Sequence, residues 1–129
     1  MIDGFHHVAI KYENEKMYEE ALAFYCGILG FEEVLHWGEG ERRAILLRSG
    51  EAVMELYASG RKAGTTGSIN HLAFATSDVD GMIEKVRSAG YSINVEPKDV
   101  ILGSEGQMPA RVAFCTGPGG EEIEFFYEK

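Results

Sequence analysis

The chain is poor in proline, in cysteine and in basic residues, and each shortage narrows its class. Three prolines stand against 16 glycines in 129 residues. An excess of glycine supplies turns and close backbone approaches, which points to a strand-rich chain. The cysteines, Cys26 and Cys115, lie far apart and form no CxxC or paired spacing. Zinc–thiolate and thioredoxin-type sites are therefore not expected. Both cysteines read as free thiols, buried or half-buried, which fits a reducing cytoplasm. Lysine plus arginine is 12 against 21 aspartates and glutamates, a net charge of −9. Such a chain repels phosphate backbones, so no nucleic-acid partner is expected. No stretch approaches the roughly 20 apolar residues of a membrane-spanning helix, so no membrane partner is expected either. Met1–Lys11 lacks the basic start, apolar run and cleavage site of a secretory signal. What remains is ordinary for one globular domain, 45% hydrophobic and 26% charged.

The domain reads as a duplicated unit. Phe5–Lys11 (FHHVAIK) is similar to Ile69–Ala75 (INHLAFA). Helical spacing follows each: Tyr18, Leu22, Tyr25 and Leu29 in the first half, Met82, Val86 and Ala89 in the second. Each predicted helix ends at a glycine followed by an aromatic residue, Gly30–Phe31 and Gly90–Tyr91, and glycine there suits a left-handed cap. Short strands are expected at Glu33–Trp37, Ala44–Arg48 and Ala52–Ala58, and again at Ser92–Glu96, Arg111–Thr116 and Glu121–Tyr127. Offsets between the halves drift from 60 (Gly30 to Gly90) through 64 (His7 to His71) to 69 (Glu55 to Glu124). Extra residues near Tyr12–Lys16 and a long loop at Lys98–Pro109, over the site, account for the drift. The expected organisation is module one over residues 1–58, a linker over 59–68 and module two over 69–129: an α+β chain of two βαβββ modules.

Alternation along the strands places the unusual residues. His7 shares a face with Ala9 and Lys11, and His71 with Ala73 and Ala75. Glu55 shares a face with Val53 and Tyr57, and Glu124 with Glu122 and Phe126. Each half thus offers one histidine and one glutamate on the face away from its helix, beside alanines that leave room. A glutamate inside an apolar strand is costly unless it has a partner. The same pair occurs at matching places in both halves, so the expected set is His7, Glu55, His71 and Glu124. Nitrogen and oxygen donors of that mix suit a divalent first-row metal. His6 falls on the opposite face, where it packs or is exposed, and His36, beside Trp37 on an edge-like strand, is expected in a loop or at a substrate cleft, with a plain surface position favoured.

The segments HHVAI, NHLAFAT, AVMELY and GPGGEEIEFFYE, with Phe24–Tyr25 and Leu29–Gly30–Phe31, resemble the glyoxalase I branch of the vicinal-oxygen-chelate superfamily over about residues 5–128. The resemblance implies two βαβββ modules forming a curved mixed sheet around a metal site. It places His7, Glu55, His71 and Glu124 on the family's ligand positions, and it implies a homodimer. Retention of both glutamates favours a lactoylglutathione lyase-like isomerase over extradiol dioxygenases, thiol transferases or epimerases. The implied cofactor is nickel, cobalt or zinc. Lys11 stands where an arginine is common and Ser59 where an asparagine is common, so the thiol of the substrate stays open.

The implied reaction converts the hemithioacetal of a 2-oxoaldehyde and a thiol into a 2-hydroxyacyl thioester through a metal-stabilised enediolate. Glu124 is the expected base, with Glu55 its counterpart, while Lys11, Tyr57 and Phe126 are the candidate substrate contacts. The alternatives are a non-catalytic protein of the same fold that binds an antibiotic or metabolite, and a thioester epimerase.

Overall fold

Alternating burial turns the strand segments into two sheets, each with one apolar side. The computed structural model describes residues 6–58, 71–102 and 105–129. The chain divides into two units, Met1–Thr65 and Thr66–Lys129. Phe5, the 59–68 linker with Ser59, Ile69, Asn70 and Gly103 lie outside the described residues.

The first unit runs β1 (Val8–Lys11), α1 (Glu15–Leu22), a π-helical segment (Ala23–Ile28), β2 (Glu32–Trp37), a short 3₁₀ turn (Gly40–Arg42), β3 (Ala44–Ser49) and β4 (Ala52–Tyr57). Its sheet has the order β1-β4-β3-β2. β1 runs parallel to β4, and the other neighbours are antiparallel. Met54 and Leu56 on β4, with Ile45 and Leu47 on β3, form its buried side. Tyr18, Ala21, Phe24 and Tyr25 complete the core from the helical side of the chain. Asn14 starts α1 by accepting a hydrogen bond from the Met17 N–H at 2.9 Å, which satisfies one of the first-turn donors.

The second unit repeats the pattern with β5 (Leu72–Ala75), α2 (Val79–Ser88), β6 (Ile93–Leu102), β7 (Met108–Thr116) and β8 (Glu122–Glu128). Its order is β5-β8-β7-β6, again with the first strand parallel to the last. Asp78 caps α2 through the Gly81 N–H at 2.9 Å. Val79, Ile83 and Val86 are the buried stripe of α2, and Ala113, Cys115, Ile123 and Phe125 are buried on β7 and β8. The expected α+β architecture of two βαβββ modules is therefore present. Gly30 and Gly90 hold φ of +80° and +90° after the two helical segments, as the cap reading requires.

Three expectations need correction. The periodicity of Tyr18, Leu22, Tyr25 and Leu29 predicts one α-helix, but the helix widens after Leu22. The Leu29 N–H reaches back five residues to the Phe24 carbonyl at 3.0 Å, and the wider turn lets adjacent Phe24 and Tyr25 both be buried. In α2, of the expected positions Val86 is buried, Met82 is half-buried and Ala89 is exposed, and Val79 and Ile83 complete the buried stripe. Finally, Lys98–Pro109 is not a loop over its length: β6 continues to Leu102 and β7 begins at Met108. Pro97 breaks the ladder locally, with a register shift between Val95 and Lys98, and pairing resumes beyond it.

Candidate metal and acid–base site

The parallel pairing of first and last strands positions the site in each unit. In the first, Ala9 stands opposite Glu55 and Lys11 opposite Tyr57. In the second, Ala73 stands opposite Glu124 and Ala75 opposite Phe126. His7 and His71 are the residues just before β1 and β5. The small alanine beside each glutamate leaves the carboxylate uncovered on that side, and the preceding histidine turns towards it. His7 Nε2 lies 3.9 Å from Glu55 Oε1. His71 Nε2 lies 3.1 Å from Glu124 Oε2. Each unit thus brings its own expected pair together. Among the described residues, no group of three or more histidine, cysteine, aspartate or glutamate side chains is gathered for a metal.

The two glutamates differ in surroundings. Glu124 is the buried charged residue of the described chain, 8% exposed. Burial pushes its carboxyl pKa up, His71 pulls it back by charge and hydrogen bond, and Glu122 adds to the rise. Glu55 is hydrogen-bonded to the Tyr57 hydroxyl, and that bond, followed by burial, raises the phenol's pKa.

The faces around the pairs hold residues the sequence reading assigned and others it did not. Trp37, Ala44, Tyr57 and Lys11 form one transverse row across the first sheet. Ala44 is too small to separate its neighbours, and the Trp37 and Tyr57 rings meet edge to face at 6.3 Å. Lys11 Nζ sits 5.9 Å from the centre of the Tyr57 ring. In the second sheet Phe114 stands opposite Glu124 on β7 and meets His71 edge to face at 5.6 Å. Phe126 is half-buried on β8. Alternation along β2 and β7 carried the signal for Trp37 and Phe114.

His6, expected to pack or be exposed, is exposed. It precedes the strand, so alternation does not govern it, and its Nδ1 lies 2.9 Å from His7 Nδ1, with the donor set by tautomer. His36 lies on the edge strand β2 and is exposed, in keeping with the favoured surface position, its Nδ1 2.6 Å from Glu33 Oε1. The donor chemistry fits a divalent ion: each pair joins an imidazole nitrogen to a carboxylate oxygen, and His7 presents Nε2 to Glu55 while its Nδ1 meets His6.

Two sheets of one topology, each with a histidine before its first strand facing a glutamate on its last, define a chain of paired βαβββ modules. The model of the Glyoxalase/Bleomycin resistance protein/Dioxygenase superfamily matches residues 4–125, and the chain belongs to that superfamily. Its fold is similar to that of a glyoxalase family protein from Enterococcus faecalis, at 21% identity and a TM-score of 0.72, covering 97% of this chain and 98% of that one. It is similar to the fosfomycin resistance protein FosX from Listeria monocytogenes, complexed with Mn(II) and sulfate, at 16% identity and a TM-score of 0.75, covering 100% and 95%. It is also similar to TnmS3, an antibiotic binding protein from Streptomyces sp. CB03234, at 19% identity and a TM-score of 0.70, covering 100% of each chain. No curated protein matches the chain at a significant level. At these identities the likeness is one of fold. No helix among the described residues is long and apolar enough to cross a membrane.

Proposed function

We propose that the chain is a metal-dependent isomerase resembling glyoxalase I, acting on the hemithioacetal of a 2-oxoaldehyde and a thiol to give a 2-hydroxyacyl thioester. The observation that carries this reading is the pair His71–Glu124, repeated as His7–Glu55 in the other unit. His7, Glu55, His71 and Glu124 would hold the ion, nickel, cobalt or zinc. When bound, a divalent cation supplies Lewis-acid polarisation of neighbouring substrate oxygens. Glu124 takes the proton from C1 and returns it to C2. Its burial suits it to this work, since a carboxyl with a raised pKa is a stronger proton acceptor. Glu55 is the counterpart, steadied by Tyr57. Lys11, Tyr57 and Phe126 orient the substrate. The acting form is a homodimer in the cytoplasm.

A second reading is favoured by two observations. Among the described residues no three metal donors are grouped, and the fold is similar to that of an antibiotic binding protein. On this reading the same face sequesters a small molecule without turnover. Metal content separates the two. Metal-free protein is titrated with nickel, cobalt, zinc and manganese, and thioester absorbance is followed with methylglyoxal plus glutathione. Stoichiometric binding with turnover supports the isomerase. Metal binding without turnover on any thiol tested sinks the isomerase while leaving the ligand set standing.

A further inference from the structure

A cavity of about 300 Å³ opens between α1 and the β2–β3 hairpin, and its lining contains none of the four expected metal ligands. Leu22 and Ile45 give it an apolar floor, and Tyr18 and Trp37 are also among its lining residues. The charged groups at its rim decide what it can hold. Arg43 is not free to receive an anion. Its guanidinium is paired with Glu19, lies 3.6 Å from Glu15 and stacks 5.0 Å from the centre of the Tyr18 ring. An incoming carboxylate would have to displace those carboxylates. Glu33 is placed differently. Among the described residues its ion-pair partner is the imidazole of His36, at 2.6 Å, which carries charge only when protonated. Glu15, Glu19 and Glu33 against one guanidinium leave the rim acidic while His36 is neutral.

From the apolar lining and the Glu33 carboxylate we infer that this cavity binds a small organic cation, a primary ammonium carried on an apolar body. The ammonium replaces His36 at Glu33 in a charge-assisted hydrogen bond. The body occupies the apolar floor, in the usual pattern of a small-molecule pocket with few polar groups that fix orientation.

Trp37 is the only tryptophan in the sequence, so its emission reports on this lining. The full chain is titrated with phenethylamine near neutral pH and low salt, by tryptophan emission and by calorimetry. 3-Phenylpropionate, of like size and opposite charge, is run in parallel. The amine is expected to saturate and the acid to give no binding. Glu33→Gln, at an exposed position that tolerates the change, weakens the amine by about tenfold or more. His36→Ala leaves Glu33 unoccupied and binds the amine at least as tightly as the parent. The inference is overturned if Glu33→Gln binds the amine as well as the parent, if the acid binds as tightly as the amine, or if neither method detects saturation. Loss of the signal on Glu55→Gln with retention on Glu33→Gln also overturns it, because Trp37 would then be reading the opposite face through Tyr57.

Discussion

Tyr57 donates its hydroxyl to Glu55, the residue two places before it on β4. The matching place in the second unit, two residues past Glu124, holds Phe126, which has no hydroxyl to give. The duplicated pairs are therefore unlike. His7 stands 3.9 Å from a glutamate that Tyr57 also holds, whereas His71 stands 3.1 Å from one whose carboxyl pKa burial has raised. A divided carboxylate suits ligation, and a desolvated one suits proton transfer.

That asymmetry predicts unequal effects in the proposed isomerase. Glu124→Gln keeps an oxygen donor but removes the proton acceptor. Its kcat is expected to fall roughly 10²–10⁴-fold, the usual worth of a positioned base. Glu55→Gln should cost less in kcat and more in metal affinity. Steady-state rates at saturating metal, with metal affinity measured separately, distinguish the two. Equal losses in kcat would remove the assigned division of roles.

Tyr57→Phe makes the first unit match the second at this position. The lost hydroxyl loosens Glu55 without touching the metal donors. Outer hydrogen-bond partners of this kind change metal affinity by about 10–100-fold when removed. A drop near the lower figure is expected, with Glu55 exposed enough for water to take the vacated bond. Calorimetric titration of metal-free protein reads it, and an unchanged affinity would assign Tyr57 to substrate contact alone.

The site was more legible in the sequence than some of the elements that carry it. His7, Glu55, His71 and Glu124 stood out because a carboxylate in an apolar strand needs a partner, and the same oddity occurred twice. Strand pairing then brought each glutamate to its own histidine. The π-helical segment was not legible, because an apolar spacing of three and four fits α-helix equally well until Phe24 and Tyr25 are both seen to be buried. The extension of β6 and β7 beyond the expected strands was hidden by Pro97, Pro109 and Gly106. Long-range pairing of Val100 with Ala110 and Ile101 with Pro109 overrides those local breaker signals. Trp37 was left unassigned for a simpler reason. Its alternation with His36 along β2 was there to read, but only strand pairing shows that it meets Tyr57 across Ala44.

The thiols should differ sharply in reactivity. Burial first, then Glu121 and Glu122, push the Cys115 pKa up to about 12. Cys26 is half-buried, and burial followed by Glu33 raises its thiol pKa. Since the thiolate is the reactive species, neither should label readily at neutral pH. Cys26 should label first as pH rises, and Cys115 only on unfolding. Mass spectrometry after timed iodoacetamide treatment, native and in denaturant, checks the order. Labelling of Cys115 in the folded protein would show that its strand opens locally.

Arg111 predicts a specific acid dependence of stability. Its guanidinium takes both oxygens of Asp80, at 2.5 and 2.7 Å, and one of Asp99 at 3.1 Å, while Lys129 holds Asp99 at 2.8 Å. The Arg111 hydrogen bond holds the Asp80 carboxyl below its ordinary value. Lys129 first, then Arg111, does the same for Asp99. A depressed folded-state pKa stabilises the protein above the unfolded value, near pH 4, and that contribution fades as pH falls through the folded value. The network is solvent-exposed, so the effect is modest and screened by salt. Arg111→Met keeps much of the side-chain stem and removes the charge. Asp80 then loses its partner, while Asp99 keeps Lys129. Urea midpoints across pH should show the parent ahead of the variant by a constant margin at neutral pH, with the margin shrinking below about pH 4 as the aspartates protonate. A margin that persists in strong acid would assign the role of Arg111 to the packing of its stem rather than to its charge.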